Sequence, residues 1–157
     1  MGFLEWIQNS SFATALSTSD SIWGYAFILT LHTAGLAVVM GASIVFDLRV
    51  LGVGQQFPLA SLRRMTGILW WGFTINAVTG VLLFTTNAVT FGLQKTFYLK
   101  LAFILGAMIV GARNRATVFG SSSVMSGNLS GDARALAALS LALWVGATFA
   151  GRYMAYV

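Results

Sequence analysis

Residues 29–52 read LTLHTAGLAVVMGASIVFDLRVLG, and the reading of this stretch decides the fold, because from Leu31 to Phe46 its only ionisable side chain is His32. A helix of about 20 mainly apolar residues crosses the roughly 30 Å hydrocarbon core of a bilayer. With the apolar residues before it, the stretch supplies a first span over 22–46. Three further runs, at 67–89, 97–119 and 135–156, have the same character; the third span covers 97–112, where Lys100 is the one charged residue, with an extension to 119. The expected fold is all-α, an integral membrane four-helix bundle forming a single transmembrane domain over residues 1–157.

Composition agrees. Of 157 residues, 57% are hydrophobic and 8% charged, against about 25% charged in a soluble domain. Four spans leave too little chain for a separate soluble domain, so any chemistry sits inside the bundle or at its rims. The absence of cysteine excludes disulfides, thiolate metal sites, iron–sulfur clusters and covalently attached c-type haem. The net charge of +5 does not point to nucleic acid, since the nine basic residues sit at the ends of apolar runs rather than in one stripe. The partner this pattern implies is the lipid bilayer.

At the N-terminus no basic residue precedes the short apolar stretch, so a secretory signal peptide is not expected. Phe3, Leu4, Trp6 and Ile7 recur at helical spacing opposite Glu5 and Gln8, which suits a short N-terminal interfacial helix. STSDS, residues 17–21, then offers a helix N-cap around 19–21. The connection DLRVLGVGQQFPLASLRR, residues 47–64, holds the only proline, Pro58, with Arg49, Arg63 and Arg64. RNRATVFGSSSVMSGNLSGDAR, residues 113–134, is rich in Ser and Gly, is expected to be the most mobile part, and holds Arg113, Arg115 and Arg134. Six basic residues in these two connections face three elsewhere, Lys95, Lys100 and Arg152. The positive-inside rule therefore expects both connections on the cytoplasmic side and both termini outside.

His32 lies about ten residues into the first span, roughly 15 Å deep at 1.5 Å per residue. At about 100° per residue, Tyr25, His32, Val39 and Ser43 share one line, with Gly35 and Asp47 about 60° to either side. An ionisable residue at that depth is a candidate functional site, and Gly35 beside it admits either a flat ring or another backbone. The alternative is that a neutral His32 simply hydrogen-bonds a neighbouring helix. In the second span Gly72, Asn76 and Gly80 recur every four residues, as in a close helix contact, and Asn76 is placed to hydrogen-bond His32 and fix its tautomer. Lys100, a turn inside the third span, either snorkels to the surface or pairs a carboxylate. Asp47 and Arg49 mark the end of the first span and are expected to pair with each other or with the adjacent connection. The methionines lack a recurrent M-x-x-M spacing, which suits core packing rather than copper. No G-x-S-x-G, H-E-x-x-H or Walker A motif is present.

LHTAGLAVVMGASIVFDLRVLG (31–52), WWGFTINAVTGVLLF (70–84) and FYLKLAFILGAMIVGARNRA (97–116) together cover most of the chain. They resemble an uncharacterised family of small bacterial four-helix membrane proteins marked by a mid-helix His followed by Asp-Leu-Arg-Leu-Leu-Gly; Val50 stands where that pattern has Leu. More remotely, a first-helix His, a second-helix Thr-Gly and a Lys-Leu opening the third helix are similar to CopD-like copper-resistance membrane domains and HemJ-type protoporphyrinogen oxidases. That resemblance implies haem b, with His32 as the metal's axial ligand, Lys100 as the matching lysine, and Thr79 and Gly80 as the second-helix pair. It also implies a quinone-like or porphyrin substrate in a bacterial cytoplasmic membrane.

Two functions follow as expectations. One is a small redox protein that holds haem b through His32, with Gly35, Asn76 and Lys100 in the cofactor site; with no second His, its haem is five-coordinate, uses another ligand or sits between protomers. The other is a non-enzymatic accessory, anchoring or self-associating subunit of a homo-oligomer or membrane complex, in which His32 is structural. Metal or proton transport ranks last, since few charges line the spans.

Overall fold

A computed structural model describes residues 2–18, 24–120, 129–154 and 156. These are all-α, with no strand among them, and four helices are long and apolar enough to cross a membrane. The helices are α1 (Phe3–Gln8), α2 (Ser11–Ser17), α3 (Tyr25–Val50), α4 (Leu59–Leu62), α5 (Met65–Thr86), α6 (Ala88–Leu93), α7 (Lys95–Gly120) and α8 (Gly131–Tyr153). The N-cap expected around 19–21 and the Ser/Gly-rich residues 121–128 lie outside the described residues.

The chain divides into two compact units. The first comprises Met1–Val39 and Trp70–Lys95. Here α1 is the expected N-terminal helix, started by Glu5, whose carboxylate accepts from the Gly2 N–H at 3.0 Å. Serine caps α2, as Ser10 Oγ accepts from the Ala13 N–H at 3.2 Å. Gln8 reaches from the end of α1 to accept from Val89 N–H at 3.0 Å, which satisfies a first-turn donor of α6. Leu4 fills the notch at Gly92, where a Cβ would stand 2.7 Å from its methyl carbon. The second span is thus set earlier than the expected 67–89: α5 runs from Met65 and stops at Thr86, Asn87 leaves helical geometry (φ −140°, ψ 41°), and α6 is a separate helix docked by α1.

The second unit comprises Met40–Leu69 and Thr96–Val157. In it α3 runs to Val50, beyond the expected 46, and ends in a Schellman motif. Val53 N–H donates to Leu48 O at 2.9 Å and Gly52 N–H to Arg49 O at 3.2 Å, with Gly52 at φ +104°. A side chain at Gly52 would be strained in this left-handed conformation. Arg49 then ties the connection down, donating to Phe57 O at 2.8 Å and Gln55 O at 3.3 Å. At the same end of α3, Phe46, Val50, Leu59, Leu62, Val118, Leu129, Ala133 and Ala137 form one buried apolar cluster. The third span uses its full extension, since α7 continues to Gly120, and α8 begins at Gly131 behind a Ser130 cap. Residues 113–120 and Arg134 are therefore helical, not connection.

Large apolar side chains remain exposed along the spans, among them Val81, Leu105, Ile109 and Phe149. A lipid environment accounts for apolar exposure on this scale.

Candidate functional site

Among the described residues, two clusters of polar side chains interrupt the apolar spans, one in each unit. In the first unit His32 of α3 packs on α5. Its Nδ1 lies 3.0 Å from the backbone carbonyl of Asn76 and 3.2 Å from Thr79 Oγ1. The carbonyl can only accept, and the Thr79 hydroxyl directs its own hydrogen to the Ile75 carbonyl at 2.6 Å. The proton is therefore assigned to Nδ1, which puts the imidazole lone pair on Nε2. Asn76 Nδ2 also lies 3.3 Å from Nδ1, but its hydrogen is better directed to the His32 backbone carbonyl at 2.8 Å. The bond expected between His32 and Asn76 thus forms in a reciprocal way: each helix offers a backbone carbonyl to the other's side chain.

Glycine makes this approach possible. A Cβ at Gly35 would stand 2.9 Å from Asn76 N and 3.0 Å from Gly72 O, and one at Gly72 would stand 2.7 Å from a Val38 methyl carbon. The space beside Gly35 is filled by the α5 backbone rather than by a flat ring. Gly80 lies under the imidazole, where a Cβ would be 3.1 Å from His32 Cε1. Of the residues expected to act together, His32, Gly35 and Asn76 meet, with Thr79 and Gly80 alongside. Lys100 belongs to the second unit, where its aliphatic stem runs past Gly151, 3.6 Å from the position of a Cβ there.

The second site was not anticipated in the sequence. Asp47 is fully buried (0% exposed) rather than marking a helix end. Ser140 from α8 and Asn114 and Arg115 from α7 lie nearest its carboxylate, but neither Asp47 oxygen has a partner of full hydrogen-bond distance and angle among the described residues. Four buried polar atoms lack a hydrogen-bond partner among the described residues: both Asp47 oxygens, Ser140 Oγ and Trp144 Nε1. An unsatisfied buried polar group costs about 1–3 kcal/mol, and a charged one more.

The surrounding helices are shaped for this cluster. Arg115 folds back along α7 over Gly111, where a Cβ would stand 2.8 Å from its Nη1 and 3.7 Å from Ser140 Oγ. Its Nη2 donates to Ser43 Oγ at 3.4 Å, and its guanidinium carbon lies 4.8 Å from the centre of the Phe46 ring. With its carboxamide oriented to satisfy both ends, Asn114 donates to Ala133 O at 3.1 Å and accepts from Ala137 N–H at 3.3 Å, pinning α7 to α8. The signal for the site is a set of i, i+4 pairs, Ser43 with Asp47, Gly111 with Arg115 and Ser140 with Trp144, which puts each pair on one helix face.

Among the described residues no three His, Asp or Glu side chains converge as a metal-binding group. Comparison of the chain with protein-family models, curated proteins and solved structures returns no match.

Proposed function

We propose that the protein is a small integral membrane redox protein that holds haem b through His32 Nε2. The observation that carries this reading is the Nδ1–H···O=C bond from His32 to Asn76 at 3.0 Å. An axial histidine needs this from its surroundings: one ring nitrogen held by a carbonyl, the tautomer fixed, and the lone pair on the other nitrogen. Asn76 and Thr79 orient the ring, and the carbonyl acceptor makes the imidazole more basic. When bound, the haem would supply one-electron chemistry, with a quinone-like or porphyrin molecule as the class of reaction partner. The proposed setting is the bacterial cytoplasmic membrane, with both termini outside.

Protein purified from haem-replete cells is expected to show a Soret band that His32→Ala abolishes while the far-ultraviolet helix signal stays. A colourless wild-type protein, or a band unchanged by His32→Ala, overturns the assignment.

The close packing of Gly35 and Gly72 favours a second reading, in which His32 is a clamp between α3 and α5 and the chain is an accessory or self-associating subunit. Co-purification after mild solubilisation tests it, and a monomeric, partner-free species counts against it.

A further inference from the structure

The Asp47 cluster belongs to no part of the haem reading and stands independently of it. Its chemistry limits what it can bind. On one side are two carboxylate oxygens, acceptors only; on the other are the Trp144 N–H, a donor only, and the Arg115 guanidinium, which reaches Ser43 Oγ at a long 3.4 Å. Ser140 Oγ offers both roles. Asp47, Ser140 and Trp144 are each at most 1% exposed and Arg115 is 9% exposed, so bulk solvent does not complete these bonds.

A bare cation at this place would face the Arg115 guanidinium, and a bare anion would face the Asp47 carboxylate. A neutral ligand with donors and acceptors on one small centre satisfies both. A buried water makes two to four hydrogen bonds to otherwise unsatisfied polar groups. Two such molecules have enough donors for both carboxylate oxygens and enough lone pairs for the Trp144 N–H and an Arg115 N–H.

We propose that Asp47, Arg115, Ser140 and Trp144 form an internal water-binding site, in which bound water bridges the carboxylate of α3 to the guanidinium of α7 and to the hydroxyl and indole of α8. The site is a hydrated ion pair within the membrane-spanning part of the second unit. Its carboxylate is joined by exchangeable protons to three side chains on two other helices.

Radiolytic hydroxyl-radical footprinting of the full-length protein in detergent tests this, because radicals generated from bound water label the side chains that touch it. Trp144 is expected to be oxidised despite its burial, while Leu59, buried in the apolar cluster, is not. Ser140→Val and Asp47→Leu, each checked for helix content, are expected to abolish the Trp144 label. Absence of label at Trp144 in the wild type overturns the proposal. A label that survives in either folded variant overturns the assignment to these side chains.

Discussion

His32 and Asp47 sit on the same helix and are treated in opposite ways by their surroundings. His32 donates to a backbone carbonyl and lies beside a threonine hydroxyl, whereas both oxygens of Asp47 lack a hydrogen-bond partner among the described residues. The His32 contacts are polar bonds between spanning helices, which contribute on average about 0.6 kcal/mol and at most about 1.7 kcal/mol each. Asn76→Ala, which removes the bond to the His32 carbonyl but keeps the Asn76 carbonyl, is accordingly expected to cost no more than this in mixed-micelle unfolding. The Asp47–Arg115 pair obeys a different rule, because removing one partner leaves the other charge buried. Such a loss costs about 3–5 kcal/mol, whereas replacing both partners is far milder. Asp47→Asn and Arg115→Gln are each expected to destabilise strongly, and the double variant to lose much less than their sum. An additive double-mutant cycle would mean that the two charges do not interact. His32 was recognisable from sequence because a lone imidazole in an apolar run has few explanations. Asp47 was not, because an acid at the end of a span looks the same whether it faces water or the interior.

At the scale of elements, α3 carries two glycines with opposite requirements. Gly35 meets the α5 backbone, so the added methyl of Gly35→Ala forces two helices apart, and overpacking of this kind costs about 1–3 kcal/mol. Gly41 has nothing within 4 Å of a Cβ position. Gly41→Ala is expected instead to stabilise α3 by about 0.5–1 kcal/mol, the usual helical gain over glycine. The two substitutions should shift the unfolding midpoint in opposite directions; a loss at Gly41 would mean that another chain packs there. Apolar run length located all four long helices, since a span needs only length and apolarity. It could not distinguish packed from open glycines, because that depends on which helix lies opposite. The same limit explains α6, whose first turn is capped by Gln8, distant in sequence. It also explains α7: Arg115 resembles the basic end of a span, but Gly111 lets it fold back into the unit.

For the whole molecule, the proposed topology has the four candidate spans all crossing, which puts both termini on one side of the membrane. Burial changes the charge comparison that sets that orientation. Arg115, at 9% exposed, is an interior charge and not one that a connection presents to the cytoplasm. Removing it leaves Arg49, Arg63, Arg64, Arg113 and Arg134 against Lys95, Lys100 and Arg152. The bias is therefore smaller than the sequence count implied, and more of it rests on the adjacent pair Arg63–Arg64. In the proposed orientation, reporters fused to either terminus are expected to read outside. Arg63→Gln with Arg64→Gln makes the two sides equal, three against three, so a mixed population is expected from that variant, read as partial protease protection of a terminal tag. Arg115→Gln, which removes an interior charge rather than one presented by a connection, should leave the reporter pattern unchanged even as it destabilises the second unit. A pair variant that still reads wholly outside would show that features other than the basic residues of the connections set the topology.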